Sequence, residues 1–549
     1  MLGVRFLLTA GFGGCVLMAC GSGTGPGEPP VLTCSDASLQ TLAVGEFRIV
    51  DPGQTGACVR LPPAGSSGAE HLYVGLATAG HESGKGISAP FTITATPPIL
   101  ATRRSARMGL RARSAPPGIA GAFHGRLRAY EQTLAGSPDL ALRVPSKPAA
   151  SVPLGTTRTF EVLASPTRVD TFVQVAATAV FAGVHVTIFL DDDVPAGGYS
   201  QSDIDNVGNL FDDHLYGIDT LAFGGESDID NNSQVLVLLS DEVNKLGDCT
   251  GSASQAIAGF FFAGDLRTTF AHSNKGEVFY GWVPGSCGIS LSRATTFLPE
   301  VFVHEFQHMI SFHQHVMVAG GTAEDTWLNE GLSTYAEELA ARSVPADRCV
   351  ANDCIGQFAS SNLGNAAGYL SDPSSYYLVV PGDSVLSLPE YGATWLFTRW
   401  LVDHFAAEQP LGADFTRRLL QTTNVGSANV EEATGESFAN LVGQWQLANF
   451  LDDLPGAVPT SDRLNYSSWD FRAAFGSPYP LQPDTTIDGR DLSDASYSHS
   501  GSLLAGSGLH VLIGQSAGAG AVDFQLIDPS GTDLPSAEAE PRIALFRIR

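Results

Sequence analysis

The chain has 549 residues, a formal net charge of −27 and a hydrophobic content of 44%. This length is enough for about two to four domains, and the apolar fraction is enough for a sizeable core. The strongly acidic balance argues against a nucleic-acid partner, because a phosphate backbone needs a basic surface.

Residues 1–20 have the pattern of a lipoprotein-type signal peptide. Arg5 gives a positive start, and the apolar run that follows it is too short to span a bilayer stably. Leu17-Met18-Ala19-Cys20 resembles a bacterial lipobox, which predicts Cys20 as a lipidated membrane anchor and residues 21–33 as a flexible tether. Because Met18 stands where a small residue is usual, an ordinary cleaved signal peptide is the alternative. Both interpretations predict an exported protein, either anchored to the cell envelope or secreted.

The next two segments differ in character. Residues 34–98 have short apolar runs between Gly and Pro turns, which predicts a small β-domain. Residues 99–153 concentrate arginines in an otherwise acidic chain and include a short amphipathic helix from Ala122 to Leu134. This segment is predicted to be a solvated basic linker. A propeptide-like junction is the alternative, because exposed basic linkers are easily cleaved.

From residue 154 the pattern becomes α+β. A helix predicted at 202–216 lies between two strands, and an apolar helix is predicted at 393–405. Residues 154–480 are therefore predicted to form one domain with a mixed sheet and several helices. Residues 481–549 return to short strand-like runs and predict a small C-terminal β-sandwich-like domain.

Six cysteines remain once Cys15 and Cys20 are assigned to the signal segment. An even number of cysteines in an exported chain indicates disulfides. Pairing in chain order predicts the bonds Cys34–Cys58, Cys249–Cys287 and Cys349–Cys354. A cysteine-bound zinc is not expected, since the chain has no C-x-x-C pair.

The run His304-Glu305-Phe306-Gln307-His308 has the pattern H-E-x-x-H within a segment of helical apolar spacing. Residues four apart on a helix share a face, so both imidazoles can bind one zinc ion at about 2.0–2.1 Å. Glu305 is turned about 100° round the helix, where its carboxylate can take a proton from a zinc-bound water. The alternative is a pair of buried histidines with ordinary hydrogen bonds.

A catalytic zinc needs a third protein ligand and an open position. His313 points to another face of the same helix, and His315 lies too far along the axis to share an ion with His304. The ligand is therefore expected from another segment. In the next predicted helix, Glu330 lies opposite the apolar stripe.

Three other carboxylates of that region compete with Glu330. Glu324 and Glu338 are expected to be solvated surface charges. Glu337 shares the face of Glu330 and could instead accept a hydrogen bond from a ligand histidine. A surface position is the alternative for Glu337.

Two motifs together resemble those of the gluzincins, zinc peptidases whose third ligand is a Glu on a following helix. They are His304-Glu305-Phe306-Gln307-His308-Met309-Ile310 and Trp327-Leu328-Asn329-Glu330-Gly331-Leu332-Ser333. The resemblance is nearest to the hyicolysin-type neutral zinc metallopeptidases of bacteria. It implies a zincin-like domain in which His304, His308 and Glu330 bind zinc and Glu305 is the general base.

The resemblance also implies a Tyr or His that donates a hydrogen bond to the oxyanion of the tetrahedral intermediate. No motif in the sequence identifies this residue. Tyr391, at the start of the apolar helix, is the first candidate, followed by Tyr335 and His404. An edge strand of the preceding sheet is expected to hold extended substrate by strand addition.

A second metal is a further expectation. Asp228-Ile229-Asp230-Asn231-Asn232 has oxygen ligands at alternate positions, as Ca²⁺ loops do. The EF-hand pattern is absent, because Ser233 and Leu239 stand where that loop needs Gly and Glu. A calcium turn and a polar loop before a strand both remain open.

The sequence thus predicts an exported zinc metallopeptidase with a protein or peptide substrate, no nucleic-acid partner and a monomeric state. The alternative is a surface lipoprotein that keeps a zincin scaffold without activity and serves as a binding or adhesion module. The intact Glu305 argues against that alternative. A purely structural metal site would have its fourth coordination position closed.

Overall fold

The structure is a computed structural model that describes residues 34, 38–81, 86–96, 99–101, 118–140, 151–195, 197–247, 249, 256–381, 386–408, 411–488 and 497–549. The predicted signal peptide and tether, with Cys20, lie outside the described residues. Most of the arginine-rich part of the predicted linker, residues 102–117, also lies outside them.

The described residues form strands in three sheets and helices of very different lengths. The strands are β1 (Phe47–Val50), β2 (Cys58–Leu61), β3 (Ala69–Ala77), β4 (Ser88–Thr96), β5 (Ile99–Ala101), β6 (Thr157–Leu163), β7 (Phe172–Ala182), β8 (Val186–Asp191), β9 (Val235–Leu239), β10 (Gly259–Phe261), β11 (Val278–Gly281), β12 (Asp484–Asp488), β13 (Ser498–Leu504), β14 (Gly508–Gln515), β15 (Val522–Ile527) and β16 (Pro541–Arg547).

The α-helices are α1 (Pro52–Thr55), α2 (Ile119–Gln132), α3 (Gln201–Leu210), α4 (Tyr216–Phe223), α5 (Asp241–Leu246), α6 (Leu291–Phe312), α7 (Thr326–Ser343), α8 (Cys354–Phe358), α9 (Ser360–Leu370), α10 (Leu388–Phe405), α11 (Ala413–Leu420), α12 (Gly426–Thr434), α13 (Phe438–Leu451) and α14 (Phe471–Phe475). Two π-helical turns, Phe211–Leu215 and His313–Val318, follow α3 and α6. The predicted α+β class is confirmed.

The central sheet has the strand order β10-β11-β9-β8-β7-β6 and is mixed. The strands β8, β9 and β11 run parallel, whereas β10, β7 and β6 are antiparallel to their neighbours. All five residues of β9 are buried, as expected for a central strand covered on both faces. The edge strand β10 contacts α6, so one edge of this sheet lies beside that helix.

The remaining strands form two sheets, and each sheet contains strands from both the N-terminal and the C-terminal parts of the described chain. Their orders are β1-β16-β3-β14-β12-β5 and β13-β4-β15-β2. The ring of Tyr73 in one sheet lies 5.3 Å from that of Phe524 in the other, and both side chains are buried. The sequence predicts separate modules at 34–98 and 481–549, but strands of both segments alternate within shared sheets. Local strand patterns carry no information about such distant partners, which is why the sequence suggests two units here.

The three disulfides predicted from chain order are confirmed: Cys34–Cys58, Cys249–Cys287 and Cys349–Cys354. Cys349–Cys354 joins the residues that follow α7 to the start of α8. No helix among the described residues combines the length and apolar character that crossing a bilayer requires.

Candidate metal centre

The helix α6 carries the H-E-x-x-H motif. Its first turn is capped by Ser290, whose hydroxyl accepts the Arg293 N–H at 3.2 Å. Its C-terminal half is buried on almost all sides, and Phe306 within the motif stacks on Tyr216 with ring centroids 5.4 Å apart. The packing therefore fixes the rotation of α6 and, with it, the direction of His304 and His308.

The helix α7 lies against α6 and supplies Glu330. Next to Glu330, a Cβ atom on Gly331 would lie 2.6 Å from Thr398 Oγ1 and 3.1 Å from the Thr394 carbonyl oxygen of α10. Only a residue without a side chain permits this close approach of the two helices. The sequence Asn329-Glu330-Gly331 therefore places a carboxylate towards α6 and packs α7 tightly against α10.

Three potential ligand atoms converge between α6 and α7. Nε2 of His304 lies 3.1 Å from Nε2 of His308, and Glu330 Oε2 lies 3.5 Å and 3.6 Å from these nitrogens. Ligands at about 2.0–2.1 Å from a tetrahedral zinc ion stand about 3.4 Å apart. The separations therefore match those of a shared tetrahedral ion.

Hydrogen bonds at the other ring nitrogens determine how the two imidazoles face this point. Nδ1 of His304 donates to Glu337 Oε1 at 2.7 Å, and Nδ1 of His308 donates to Asn329 Oδ1 at 2.6 Å. Ser333 Oγ lies 2.9 Å from the same Nδ1 of His308. In the neutral tautomers, both Nε2 atoms therefore present lone pairs to the same point. Such outer contacts are typical of metal-binding histidines.

Glu330 supplies the clearest test of whether a cation fits this site. Its side chain is 1% exposed, and within the described residues neither of its oxygens accepts a hydrogen bond. Burial opposes ionisation of Glu330, but the neighbouring His308 and His304 hold its pKa well below its usual range. A buried carboxylate that accepts no hydrogen bond and lies next to two imidazole nitrogens is costly unless a shared proton or a bound cation lies between them. The residues therefore fit a bound divalent metal.

Glu305 lies beside this cluster. Its Oε2 accepts the Phe261 N–H of the edge strand β10 at 2.8 Å, which orients the carboxylate and leaves Oε1 as its other acceptor. Burial raises the pKa of Glu305 to about 7. A carboxylate with a pKa near neutrality is suited to accepting and returning a proton.

The helix α2 also reaches the site, although it lies within the predicted linker. Phe123 packs edge-on against Phe260 of β10 at 5.2 Å, and the buried ion pair Arg128–Glu131 measures 2.9 Å. Nη1 of Arg128 lies 3.5 Å from Asn329 Oδ1, the acceptor for His308. The helix α2 thus contacts both the edge strand and α7 beside the metal centre.

Tyr391 begins the second turn of α10 and is half-buried. Burial raises its pKa well above the ordinary value, and the charge of Glu330 raises it further. Its hydroxyl therefore stays protonated and remains a hydrogen-bond donor. Of the other two candidates, Tyr335 donates to the Leu411 carbonyl oxygen at 2.9 Å, and His404 Nε2 contacts the Asn465 carbonyl oxygen at 2.9 Å. Both of those side chains are held by backbone acceptors of other segments.

The prediction of solvated charge for Glu324 and Glu338 is wrong. Glu324 is buried, faces His315 at 3.3 Å and accepts hydrogen bonds from the Gly426 N–H and Asn429. Glu338 is also buried and accepts from the indole nitrogens of Trp395 and Trp469 and from Arg342. Apart from Arg342, which lies four residues after Glu338 on α7, these donors come from distant segments that the local pattern does not indicate.

Sequence reasoning also missed several residues at the site. Asn329 and Ser333 contact Nδ1 of His308, and the backbone N–H of Phe261 orients Glu305. Asp219 of α4 is a fully buried carboxyl group, and the charge of His304 lowers its pKa against the larger effect of burial, which raises it. Asn329 and Ser333 lie four residues apart on α7, on either side of Glu330 in the sequence, so their positions in the motif could have indicated a role. Phe261 acts through its backbone, which no side-chain pattern reveals.

Two histidines and one carboxylate on consecutive helices of an α+β domain form a candidate centre for a metal-dependent hydrolase. The chain is 26% identical over 173 residues to the neutral metalloprotease ShpI of Staphylococcus hyicus. This match covers 30% of the chain and 36% of the relative, so the chain spans about a third of that protein's length. No protein-family model matches the chain. The similarity supports a distant relationship to metalloproteases and, with it, a metal-binding hydrolase.

Proposed function

We propose that the protein is a zinc-dependent peptidase of the gluzincin type, related to the hyicolysin-type metallopeptidases, with a zincin-like catalytic domain. The observation that carries the proposal is the convergence of His304 Nε2, His308 Nε2 and Glu330 Oε2 at separations of 3.1–3.6 Å. Two nitrogen donors and one carboxylate are a common zinc ligand set, and three protein ligands leave a position open for water. The distant similarity to a neutral metalloprotease supports the same reaction class.

A bound zinc ion supplies a Lewis acid that polarises the scissile carbonyl and lowers the pKa of a water molecule towards about 7. Oε1 of Glu305 would accept the proton of the attacking water, and Glu305 would then deliver that proton to the leaving amine. The Phe261 N–H keeps the Glu305 carboxylate oriented while the proton moves. Glu337 and Asn329 hold the tautomers of the two histidines.

Tyr391 is our proposed donor to the oxyanion of the tetrahedral intermediate. Its raised pKa keeps the hydroxyl protonated, and α10, which carries Tyr391, packs closely against α7 next to Glu330. A positioned donor of this kind contributes about 10²–10³-fold to the rate. We therefore expect Tyr391→Phe to lower kcat more than it changes KM.

The substrate class that fits the proposal is a protein or peptide. Strand addition to the edge strand β10 would require its cover to move, because all three of its residues are buried and the Phe261 N–H binds Glu305. Export, with Cys20 as a lipid anchor in the cell envelope, is part of the proposal. The three disulfides support it, because such bonds persist mainly in oxidising compartments. We expect a monomer without a nucleic-acid partner, in keeping with the net charge of −27.

The test compares the wild type, Glu305→Gln and the surface variant Asp347→Asn for zinc content and hydrolysis of casein. We expect one zinc per chain in all three and a loss of nearly all hydrolysis in Glu305→Gln alone. A chelator should abolish the wild-type activity, and added zinc should restore it. Zinc binding without turnover of any unfolded protein by the wild type would contradict the proposal and favour an inactive binding module. Cleavage of peptides blocked at both ends would indicate an endopeptidase.

A further inference from the structure

A cluster of three carboxylates lies next to strands of the central sheet and shares no residue with the candidate metal centre. Asp228 and Asp230 belong to the loop between α4 and β9, and Glu277 directly precedes β11. Each of the three residues places one carboxylate oxygen within 4.8 Å of those of the other two. The cluster forms because β9 and β11 pair in parallel, and the Leu236 N–H donates to the Glu277 carbonyl oxygen at 2.7 Å.

Glu277 shows that this cluster differs from a solvated group of acids. The residue is 1% exposed, and its Oε1 accepts from Ser227 Oγ at 2.6 Å and from the Ile229 N–H at 2.9 Å. Its Oε2 is buried as well and has no hydrogen-bond partner within the described residues. A buried carboxylate oxygen without a partner is costly, so this atom requires either a proton or a cation.

Within the described part of the chain, no Lys or Arg forms an ion pair with Asp228, Asp230 or Glu277. The two aspartates accept hydrogen bonds from Asn232 and Ser233 of their own loop. The guanidinium of Arg158, which lowers the pKa of Asp230, donates to the Asn274 carbonyl oxygen instead. Burial nevertheless raises the pKa of Glu277 to about 7 and that of Asp230 to about 6. Three acids this close together ionise readily only when a cation is shared between them.

We propose that Asp228, Asp230 and Glu277 form a calcium-binding site. All three donors are carboxylate oxygens, which suit a hard cation and not a transition metal. The three carboxylate oxygens lie within 4.8 Å of one another, close enough to share one cation. Three carboxylates suit Ca²⁺, which takes many oxygen ligands in a flexible geometry, better than Mg²⁺, which usually binds one or two carboxylates and keeps several waters. This site is independent of the proposed peptidase activity.

The loop that carries Asp228 and Asp230 is hydrogen-bonded to the π-helical turn that directly follows α6. The Gly225 carbonyl oxygen lies 2.7 Å from His313 Nδ1 and accepts from Gln314 Nε2 at 2.6 Å. A bound calcium ion would link this loop to the start of β11, because Asp228 and Asp230 belong to the loop and Glu277 directly precedes β11. The expected consequence is higher stability of the domain that contains α6, since a ligand that binds only the folded state stabilises it.

The test is calorimetric titration of Ca²⁺ into the zinc-loaded full chain, together with thermal unfolding with and without Ca²⁺. We expect one calcium per chain, a dissociation constant on the order of 10⁻⁴–10⁻³ M and an upward shift of Tm by a few degrees. Glu277→Gln should weaken calcium binding by about tenfold or more and remove the Tm shift. Its Tm without calcium should not fall below that of the wild type, because Gln avoids burying a charge.

Glu242→Gln, at a partly exposed carboxylate of α5 that is ion-paired with Lys245, serves as the control and should keep the wild-type shift. Absence of calcium binding by the wild type would overturn the proposal, as would an undiminished shift in Glu277→Gln. An equal shift with Mg²⁺ would overturn the assignment to calcium. The two measurements are calcium binding and thermal stability, and neither depends on peptide hydrolysis. Failure of the calcium proposal is therefore distinguishable from failure of the peptidase proposal.

Discussion

Oε1 of Glu337 lies 2.7 Å from Nδ1 of His304. Glu337 follows Glu330 by seven residues on the same helix, α7. A single face of α7 therefore supplies one carboxylate to the proposed metal position and another to the back of a ligand histidine. This contact fixes the tautomer of His304 and increases the basicity of its Nε2.

Replacing Glu337 should weaken metal binding without removing a ligand. Glu337→Gln keeps an acceptor for His304 Nδ1 but loses the negative charge, and Glu337→Leu loses both. We expect zinc affinity to fall by about 10-fold in the first variant and by up to about 100-fold in the second. Competition with a zinc-binding dye measures this effect. Unchanged affinity in Glu337→Leu would show that the contact has no role in binding.

Zinc binding should release protons at pH 7. Burial lowers the pKa of His304, but its contacts with Glu330 and Glu337 raise it well above the ordinary value. The metal-free site therefore carries a proton on His304 at neutral pH, and zinc must displace it. Affinity should rise with pH and fall as the solution becomes more acidic. Titration calorimetry in two buffers of different ionisation enthalpy counts the released protons, and a count of zero at pH 7 would refute this prediction.

Asp219 should make the fold less stable as the pH rises. Its carboxyl is fully buried, and neither oxygen has a hydrogen-bond partner within the described residues. Burial raises its pKa well above the ordinary value. Its contribution to stability is therefore complete below about pH 4 and is lost as the pH rises towards the folded-state pKa, by about 1.4 kcal/mol per pH unit.

Asp219→Asn removes this charge and should stabilise the protein more at pH 8 than at pH 5. Urea unfolding midpoints at the two pH values measure the difference. Asp213→Asn, a largely exposed position next to α4, should have little effect at either pH. An equal effect of Asp219→Asn at both pH values would mean that the carboxyl is not held protonated by burial.

The sequence predicts the potential ligands of the candidate metal centre better than it predicts the residues that pack around them. The spacing of His304, Glu305 and His308 and the face of Glu330 follow from helix geometry, and the structure brings the three potential ligands together. Glu337 also lies where a helix places a residue seven positions after Glu330. The direction of each side chain depends on positions within one helix, whereas the pairing of Glu330 of α7 with the histidines of α6 rests on the family resemblance.

The relationships that the sequence does not reveal are all long-range. The pairing of β3 with β16, the burial of Glu324 against Asn429 and the contact of α2 with β10 each join segments far apart in the chain. Local pattern reports which face of an element is apolar but not which element will cover it. For this reason the shared β-sheets, the partners of Glu324 and the contacts of Glu338 with Trp395 and Trp469 emerge only from the folded chain.

Anomalous diffraction at the zinc absorption edge, on crystals of the zinc-loaded full chain, tests the central claim most directly. We expect one strong peak between α6 and α7, about 2.0–2.2 Å from His304 Nε2, His308 Nε2 and a Glu330 oxygen, with water as the remaining ligand. A peak that lacks Glu330 as a ligand would contradict the proposed centre. A fourth protein ligand in place of water would instead define a structural ion and contradict the peptidase mechanism.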